Sequence, residues 1–95
     1  MPAYLFVEIK VLDAIAYQEY RNAVSATIFA YGGKYLVRGG KTEILDGDWE
    51  PGRVVILEFP SVEALKSWYE SPEYKPLIAL RERAAKSRLV IFEGI

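Results

Sequence analysis

The stretch Ala3–Val11 (AYLFVEIKV) limits the possible folds more than any other part of the chain. Leu5, Val7, Ile9 and Val11 are apolar at every second position, while Tyr4, Phe6, Glu8 and Lys10 fill the positions between. A period of two marks an extended strand, because successive side chains point to opposite faces of a sheet. The wholly apolar set must face a core. The other set opens with two aromatic residues, which is oilier than a strand face left to water.

The rest of the chain supplies partners for that strand. Asp13 can cap a helix running to about Ala30, on which Tyr17, Tyr20, Val24, Ile28 and Tyr31 recur at spacings of three and four. Gly32-Gly33 ends it. Lys34–Arg38 reads as a second strand, with a bulge or bend expected at Gly39-Gly40 before Lys41–Leu45 continues it. Asp46-Gly47-Asp48 and Pro51-Gly52 provide turn chemistry around Trp49. Arg53–Phe59 is a third strand, rich in β-branched residues, which Pro60 stops. Ser61 can cap a short helix carrying Leu65, Trp68 and Tyr69. Ser71-Pro72 starts a second helical segment with Leu77, Leu80 and Ala84 on its buried side. Arg88–Ile95 closes the chain as a fourth strand.

Strand, helix, strand, strand, helix, strand is the order of the split β-α-β motif. The expectation is therefore an α+β, ferredoxin-like β-α-β-β-α-β fold in a single domain over residues 1–95. Its antiparallel sheet has strand order 4-1-3-2, with the helices on one face. The helix side should take Leu5, Val7, Ile9, Val55, Leu57, Phe59, Val90 and Phe92. That leaves Tyr4, Phe6, Val54, Ile56, Leu89 and Ile91 on the opposite face, interrupted by Glu8, Glu58 and Glu93. Contiguous apolar surface of this kind marks an interface, and a second copy of the same chain is the simplest cover for it. A homodimer through the sheet face is the expected assembly.

Composition removes several function classes. The chain is 52% hydrophobic and 26% charged, the balance of a folded domain. Its net charge is −1, with Lys and Arg dispersed, so no nucleic acid is expected as partner. There is no Cys, which excludes disulfides, thiolate nucleophiles and Cys-zinc sites. There is also no His, the usual neutral-pH base, the commonest metal ligand and the commonest proximal haem ligand. No metal and no cofactor are expected. The apolar runs are too short to span a bilayer, and the N-terminus lacks the features of a signal peptide, so a cytoplasmic protein with no membrane partner is expected.

Four segments carry a family resemblance: Tyr31-Gly-Gly-Lys-Tyr-Leu-Val-Arg-Gly-Gly40, Trp49-Glu-Pro-Gly-Arg53, Glu58-Phe-Pro-Ser61 and Trp68-Tyr-Glu-Ser-Pro-Glu-Tyr74. In this order, and over nearly the whole chain, they resemble the DUF1330 proteins, a bacterial family of unknown function within the dimeric α+β barrel superfamily. The resemblance implies a ferredoxin-like protomer and a homodimer whose sheets meet as a barrel. It brings no defined activity. Superfamily relatives include cofactor-free monooxygenases, lactone isomerases and haem enzymes, but their catalytic His residues have no counterpart here. That comparison operates at the level of fold, which does not carry function.

Two places can hold chemistry. On the second sheet face, the antiparallel order should set Glu58 and Glu93 on either side of Tyr4, with Arg38 near Glu58. An Arg, two carboxylates and a Tyr there could bind a small polar ligand, or could simply pair across the dimer interface to set its register. Tyr17, Tyr20, Tyr69 and Tyr74 could line a cleft between helices and sheet, where the resemblance places substrates, or could serve only as core. The candidate ligand-binding set is thus Arg38, Glu58, Glu93, Tyr4, Tyr69 and Tyr74. Glu8 and Lys10 are read as rim charges, and Asp46, Asp48 and Glu50 as a solvated turn. The glycine pairs do not follow a phosphate-loop pattern. Two functions stay open: a homodimeric binder or cofactor-free enzyme acting on a small organic molecule, of oxygenase or isomerase type, and a non-enzymatic dimeric interaction or regulatory module.

Overall fold

The computed structural model describes residues 1–95. Its elements are β1 (Ala3–Val11), α1 (Ala14–Ala30), β2 (Lys34–Arg38), β3 (Arg53–Phe59), α2 (Val62–Tyr69), α3 (Lys75–Ala84) and β4 (Ala85–Glu93). The four strands form one antiparallel sheet in the order β2-β3-β1-β4, the ferredoxin-like arrangement expected from the motif order. β1 is central because its apolar positions alternate cleanly. Leu5, Val7 and Ile9 are buried under the helices, and only the end of the strand emerges into solvent.

Local chemistry sets the helix boundaries. The Asp13 carboxylate accepts from the amides of Ile15 and Ala16 at 3.1 Å each, which satisfies two donors of the first turn of α1. Ser61 caps α2 by accepting from Ala64 N at 3.0 Å. Ser71 does not start α3 directly. Its hydroxyl donates to Trp68 O at 2.7 Å and accepts from Tyr74 N at 3.1 Å, holding a turn that delivers the chain into α3 at Lys75. Tyr17, Tyr20, Val24 and Ile28 of α1 interlock with Leu57, Phe59, Leu65, Trp68 and Tyr74 to make the core. Trp68 is its centre, with its ring 4.2 Å from Tyr74 and 5.5 Å from Phe59.

Three expectations need correction. First, Lys41–Leu45 does not continue β2, and residues 40–52 carry no strand. Gly39, at φ +69°, turns the chain away while its amide donates to Val54 O at 2.8 Å, so the ladder ends there. Second, Gly39 supplies the bend of the expected bulge or bend, whereas the bulge lies at Leu36, between the pairs Tyr35–Leu57 and Val37–Ile56.

Third, β4 begins at Ala85 rather than Arg88, and its alternation is the reverse of that expected. Leu89 and Ile91 oppose Val7 and Leu5 on the helix side, whereas Val90 and Phe92 oppose Phe6 and Tyr4 on the other face. The segment Leu89–Phe92 is apolar at both parities, so period alone could not choose. The choice is made at Ala84-Ala85, where helix passes into strand without a loop. Both alanines are buried, and Leu12 N and Asp13 N donate to Ala84 O, which fixes the register from that end.

The second sheet face carries Tyr4, Phe6, Ile56, Val37, Val90 and Phe92, the last two 50% and 56% exposed. Trp49 reaches back over part of it. Its ring lies 6.4 Å from Phe6, and its indole N–H donates to Glu8 Oε2 at 3.2 Å. No helix is long and apolar enough to cross a membrane.

Candidate functional site: a helix–sheet cleft

A narrow cleft opens between α1 and the sheet at the β2–β3 side. It is tight: a water-sized molecule has only about 40 Å³ in which to move, within about 470 Å³ of non-atom space that includes open solvent. Thirteen of its 16 lining residues are hydrophobic; the other three are Arg21, Arg38 and Arg53, and no carboxylate lines it. Val7, Val55 and Leu57 form the sheet wall, Val24 and Ile28 the helix wall, and Trp68 with Tyr74 the inner end.

Each polar group reaches this cleft for a local reason. The bulge at Leu36 places Tyr35 and Arg38 on the same, helix-side face. The Arg38 guanidinium stacks 4.5 Å from the Tyr35 ring centroid and donates to Ser25 Oγ at 3.2 Å. Ser25 Oγ in turn lies 3.0 Å from the Tyr35 hydroxyl. Arg53 opposes Ile9, donates through Nε to the Tyr17 hydroxyl at 3.0 Å, and lies 5.7 Å from that ring. Gly39 leaves the room this needs, since a Cβ there would collide with the Arg53 guanidinium.

At the inner end, the Tyr20 and Tyr74 hydroxyls are 2.8 Å apart, and Arg81 Nη1 donates to Tyr74 at 2.6 Å. Arg81 is only 5% exposed, and its Nε has no hydrogen-bond partner. Burial pushes the Tyr20 hydroxyl far above the ordinary phenol range, and the neighbouring Tyr74 adds to this. Burial also raises Tyr74, so both hydroxyls keep their protons at any working pH.

The chain's two ion pairs are Lys34–Glu58 at 3.5 Å and the short Arg88–Glu8 contact, both on the second face. None of Arg21, Arg38, Arg53 and Arg81 therefore has a carboxylate partner. In a chain of net charge −1, the cleft is a local concentration of positive charge that the protein leaves unneutralised.

The six residues singled out from sequence do not form one site. Arg38 stands at the cleft mouth and Tyr74 at its inner end. Tyr69 packs 5.7 Å from Tyr74 and borders a neighbouring groove with Leu65, Leu89 and Ile91. Tyr4 and Glu58 oppose each other on the second face, where Glu58 meets Lys34 rather than Arg38. Glu93 opposes Ala3 and is exposed, so it does not flank Tyr4; the inverted parity of β4 moves it to the other side of the sheet.

Tyr17 and Tyr20 belong to both readings offered for them, packed in the core and lining the cleft. Sequence reasoning missed Arg53 and Arg81, although signals existed. Arg53 shares the parity of Val55, Leu57 and Phe59, and Arg81 falls within the Leu77–Ala84 stripe, at positions where a charge faces inward.

Known proteins agree with this architecture. In structure the chain resembles the RPA0582 protein of unknown function from Rhodopseudomonas palustris, with TM-score 0.78 and 25% identity over 99% of this chain and 82% of that one. A dimeric ferredoxin-like protein of unknown function from Jannaschia sp. CCS1 matches with TM-score 0.73 and 11% identity, covering 99% and 100%. SnoaB, a cofactor-independent oxygenase from Streptomyces nogalater, matches with TM-score 0.67 and 12% identity, covering 99% and 93%. The last two likenesses speak for the fold alone. No curated protein matches the sequence. The model of the domain of unknown function DUF1330 matches residues 2–95, and the chain belongs to that family.

Proposed function

We propose that this protein is a homodimer in which each helix–sheet cleft binds a small, largely apolar organic molecule bearing an oxyanion such as a carboxylate. One observation carries the reading: an apolar cleft whose only charges are three guanidinium groups without carboxylate partners. Clefts of this kind, apolar with a few convergent polar groups, are what small-molecule sites look like. Guanidinium groups recognise carboxylates with geometry as well as charge. The dimer is supported by the exposed Val90 and Phe92 and by the fold neighbour described as dimeric.

Turnover of the bound molecule is the stronger form of the proposal. Hydrogen-bond donors held in a water-poor cleft stabilise negative charge that develops on a substrate oxygen. A fold neighbour that is a cofactor-independent oxygenase supports chemistry carried by substrate and side chains.

The test is thermal unfolding with benzoate and, as a shape-matched cation, benzylamine. Benzoate at about a hundred times its Kd should raise the midpoint by several degrees or more. Benzylamine should not, and Arg38→Ala and Arg53→Ala should each lose most of the benzoate response. Equal responses to the two compounds, or none to benzoate at millimolar concentration, would defeat the reading.

A further inference from the structure

Arg81 is a buried cation that donates to the Tyr74 hydroxyl at 2.6 Å, with the Tyr20 and Tyr69 hydroxyls also close enough to feel its charge. A guanidinium can only donate, so the Tyr74 oxygen accepts from it. Tyr74 is fully buried, and the Tyr20 oxygen, 2.8 Å away, is an acceptor that its own hydrogen can reach. Leaving that hydrogen without an acceptor would cost the full desolvation of a buried donor. The field of Arg81 works in the same direction, because it favours hydroxyl dipoles whose oxygens point toward the charge and whose hydrogens point away.

The order Arg81 to Tyr74 to Tyr20 follows, and it ends with the Tyr20 hydrogen. That hydrogen has no acceptor within the protein, and Tyr20 lines the cleft with 8% of its surface exposed.

We propose that Tyr20 is the donor that receives a ligand oxygen at the inner wall of the cleft, its hydrogen directed there by Arg81 acting through Tyr74. This deepens the cleft reading above and rests on it. It narrows the ligand class to molecules whose inner end is an acceptor without a hydrogen to give: a carbonyl, carboxylate, enolate or phenolate oxygen. Alcohols and amines that need an acceptor from the protein find none in that direction. Arg81 and Tyr74 are positioning residues, and Tyr20 is the group that touches the ligand.

The experiment compares para-nitrophenolate, at a pH where it is ionised in solution, with para-nitrotoluene, which has the same shape but no oxyanion. Trp68 lines the cleft, so quenching of its fluorescence by the nitroaromatic ring reports binding of either probe. Tyr20→Phe should weaken para-nitrophenolate by about tenfold and leave para-nitrotoluene within about twofold. Tyr74→Phe keeps the Tyr20 hydroxyl but removes the hydroxyl that links it to Arg81. It should weaken para-nitrophenolate by roughly three- to fivefold, again sparing para-nitrotoluene. A purely structural role for either tyrosine would weaken both probes together, and the ratio of the two affinities would not move. An unchanged ratio in both variants overturns the inference while the cleft reading stands. Should the parent protein bind neither probe, the cleft reading falls and takes the inference with it.

Discussion

Tyr35 and Arg38 are three residues apart on β2 yet share the helix-side face of the sheet, with the guanidinium 4.5 Å from the ring centroid. In a regular strand that spacing would put them on opposite faces. Leu36 is the extra residue that makes the difference, unpaired between Tyr35–Leu57 and Val37–Ile56. Deleting Leu36 should therefore leave Arg38 facing the cleft, because the shortened strand pairs regularly in the same register. Benzoate stabilisation should persist, with the midpoint free energy changed by no more than about 1 kcal/mol. Were β2 regular, the same deletion would carry Arg38 across the sheet and abolish the response, so thermal unfolding with and without benzoate separates the two cases.

Glu8 is a titratable group whose pairing has a clear pH consequence. Its hydrogen bond from Arg88 holds its carboxyl below the usual value of 4.5, with the Arg88 charge and the Trp49 indole acting in the same sense and partial burial opposing them. A pKa lowered by folding contributes stability that is present above the unfolded value and is lost as pH falls through the folded one. The parent should thus be more stable than Glu8→Gln near neutral pH, and the gap should close as the pH drops below about 4.5. Melting temperatures of both proteins between about pH 3 and pH 7 give the answer; a gap that stays constant throughout would contradict the assignment.

The second sheet face predicts an assembly that one charge should dissolve. Val90 opposes Phe6 in the ladder and is 50% exposed in the protomer. In a two-fold dimer through this face, Val90→Glu would bury a carboxylate on each side. We expect the parent to sediment at twice the 10.8 kDa chain mass. The variant should dissociate at least about a hundredfold more readily, equivalent to roughly 2.7 kcal/mol. Ile15→Glu is the control, since Ile15 is 77% exposed on α1, away from the sheet. A parent that sediments as a monomer at micromolar concentration would end the dimer reading.

The fold was legible because its determinants are local and redundant. The alternation of β1, the caps at Asp13 and Ser61, and the turn pairs all point the same way, and the structure follows them. The site was less legible because it depends on parity, and parity was ambiguous where it mattered. Arg38 is turned inward by one bulged residue, and no glycine or proline marks Leu36 as the place. Glu93 was misplaced because Leu89–Phe92 is apolar on both faces, leaving register to the helix-to-strand junction at Ala84-Ala85. Arg81 was passed over because a helical stripe is read for its apolar members, and an arginine among them looks like a break in the pattern. Its partner is Tyr74, the residue that caps α3 seven positions earlier, whose hydroxyl lies 2.6 Å away.

Gly33 ties the end of α1 to the sheet and yields the sharpest packing prediction. A Cβ there would lie 2.7 Å from Ile28 Cγ2 and 2.7 Å from two ring atoms of Phe59, all in the core. Gly33 N donates to Ile28 O at 3.0 Å, so the backbone cannot retreat without breaking the helix end. Its φ is not in the left-handed region, which makes any penalty one of space rather than backbone strain. Gly33→Ala should cost about 2–3 kcal/mol, a large share of the roughly 5–15 kcal/mol that holds a domain together. Gly40→Ala, where an added methyl would meet nothing within 4 Å, should be neutral within about 0.5 kcal/mol. Urea unfolding of both variants at one protein concentration, so that any dimer contributes equally, makes the comparison. Equal stabilities would mean that Ile28 and Phe59 can move aside, and that the junction between α1 and β2 is looser than its packing implies.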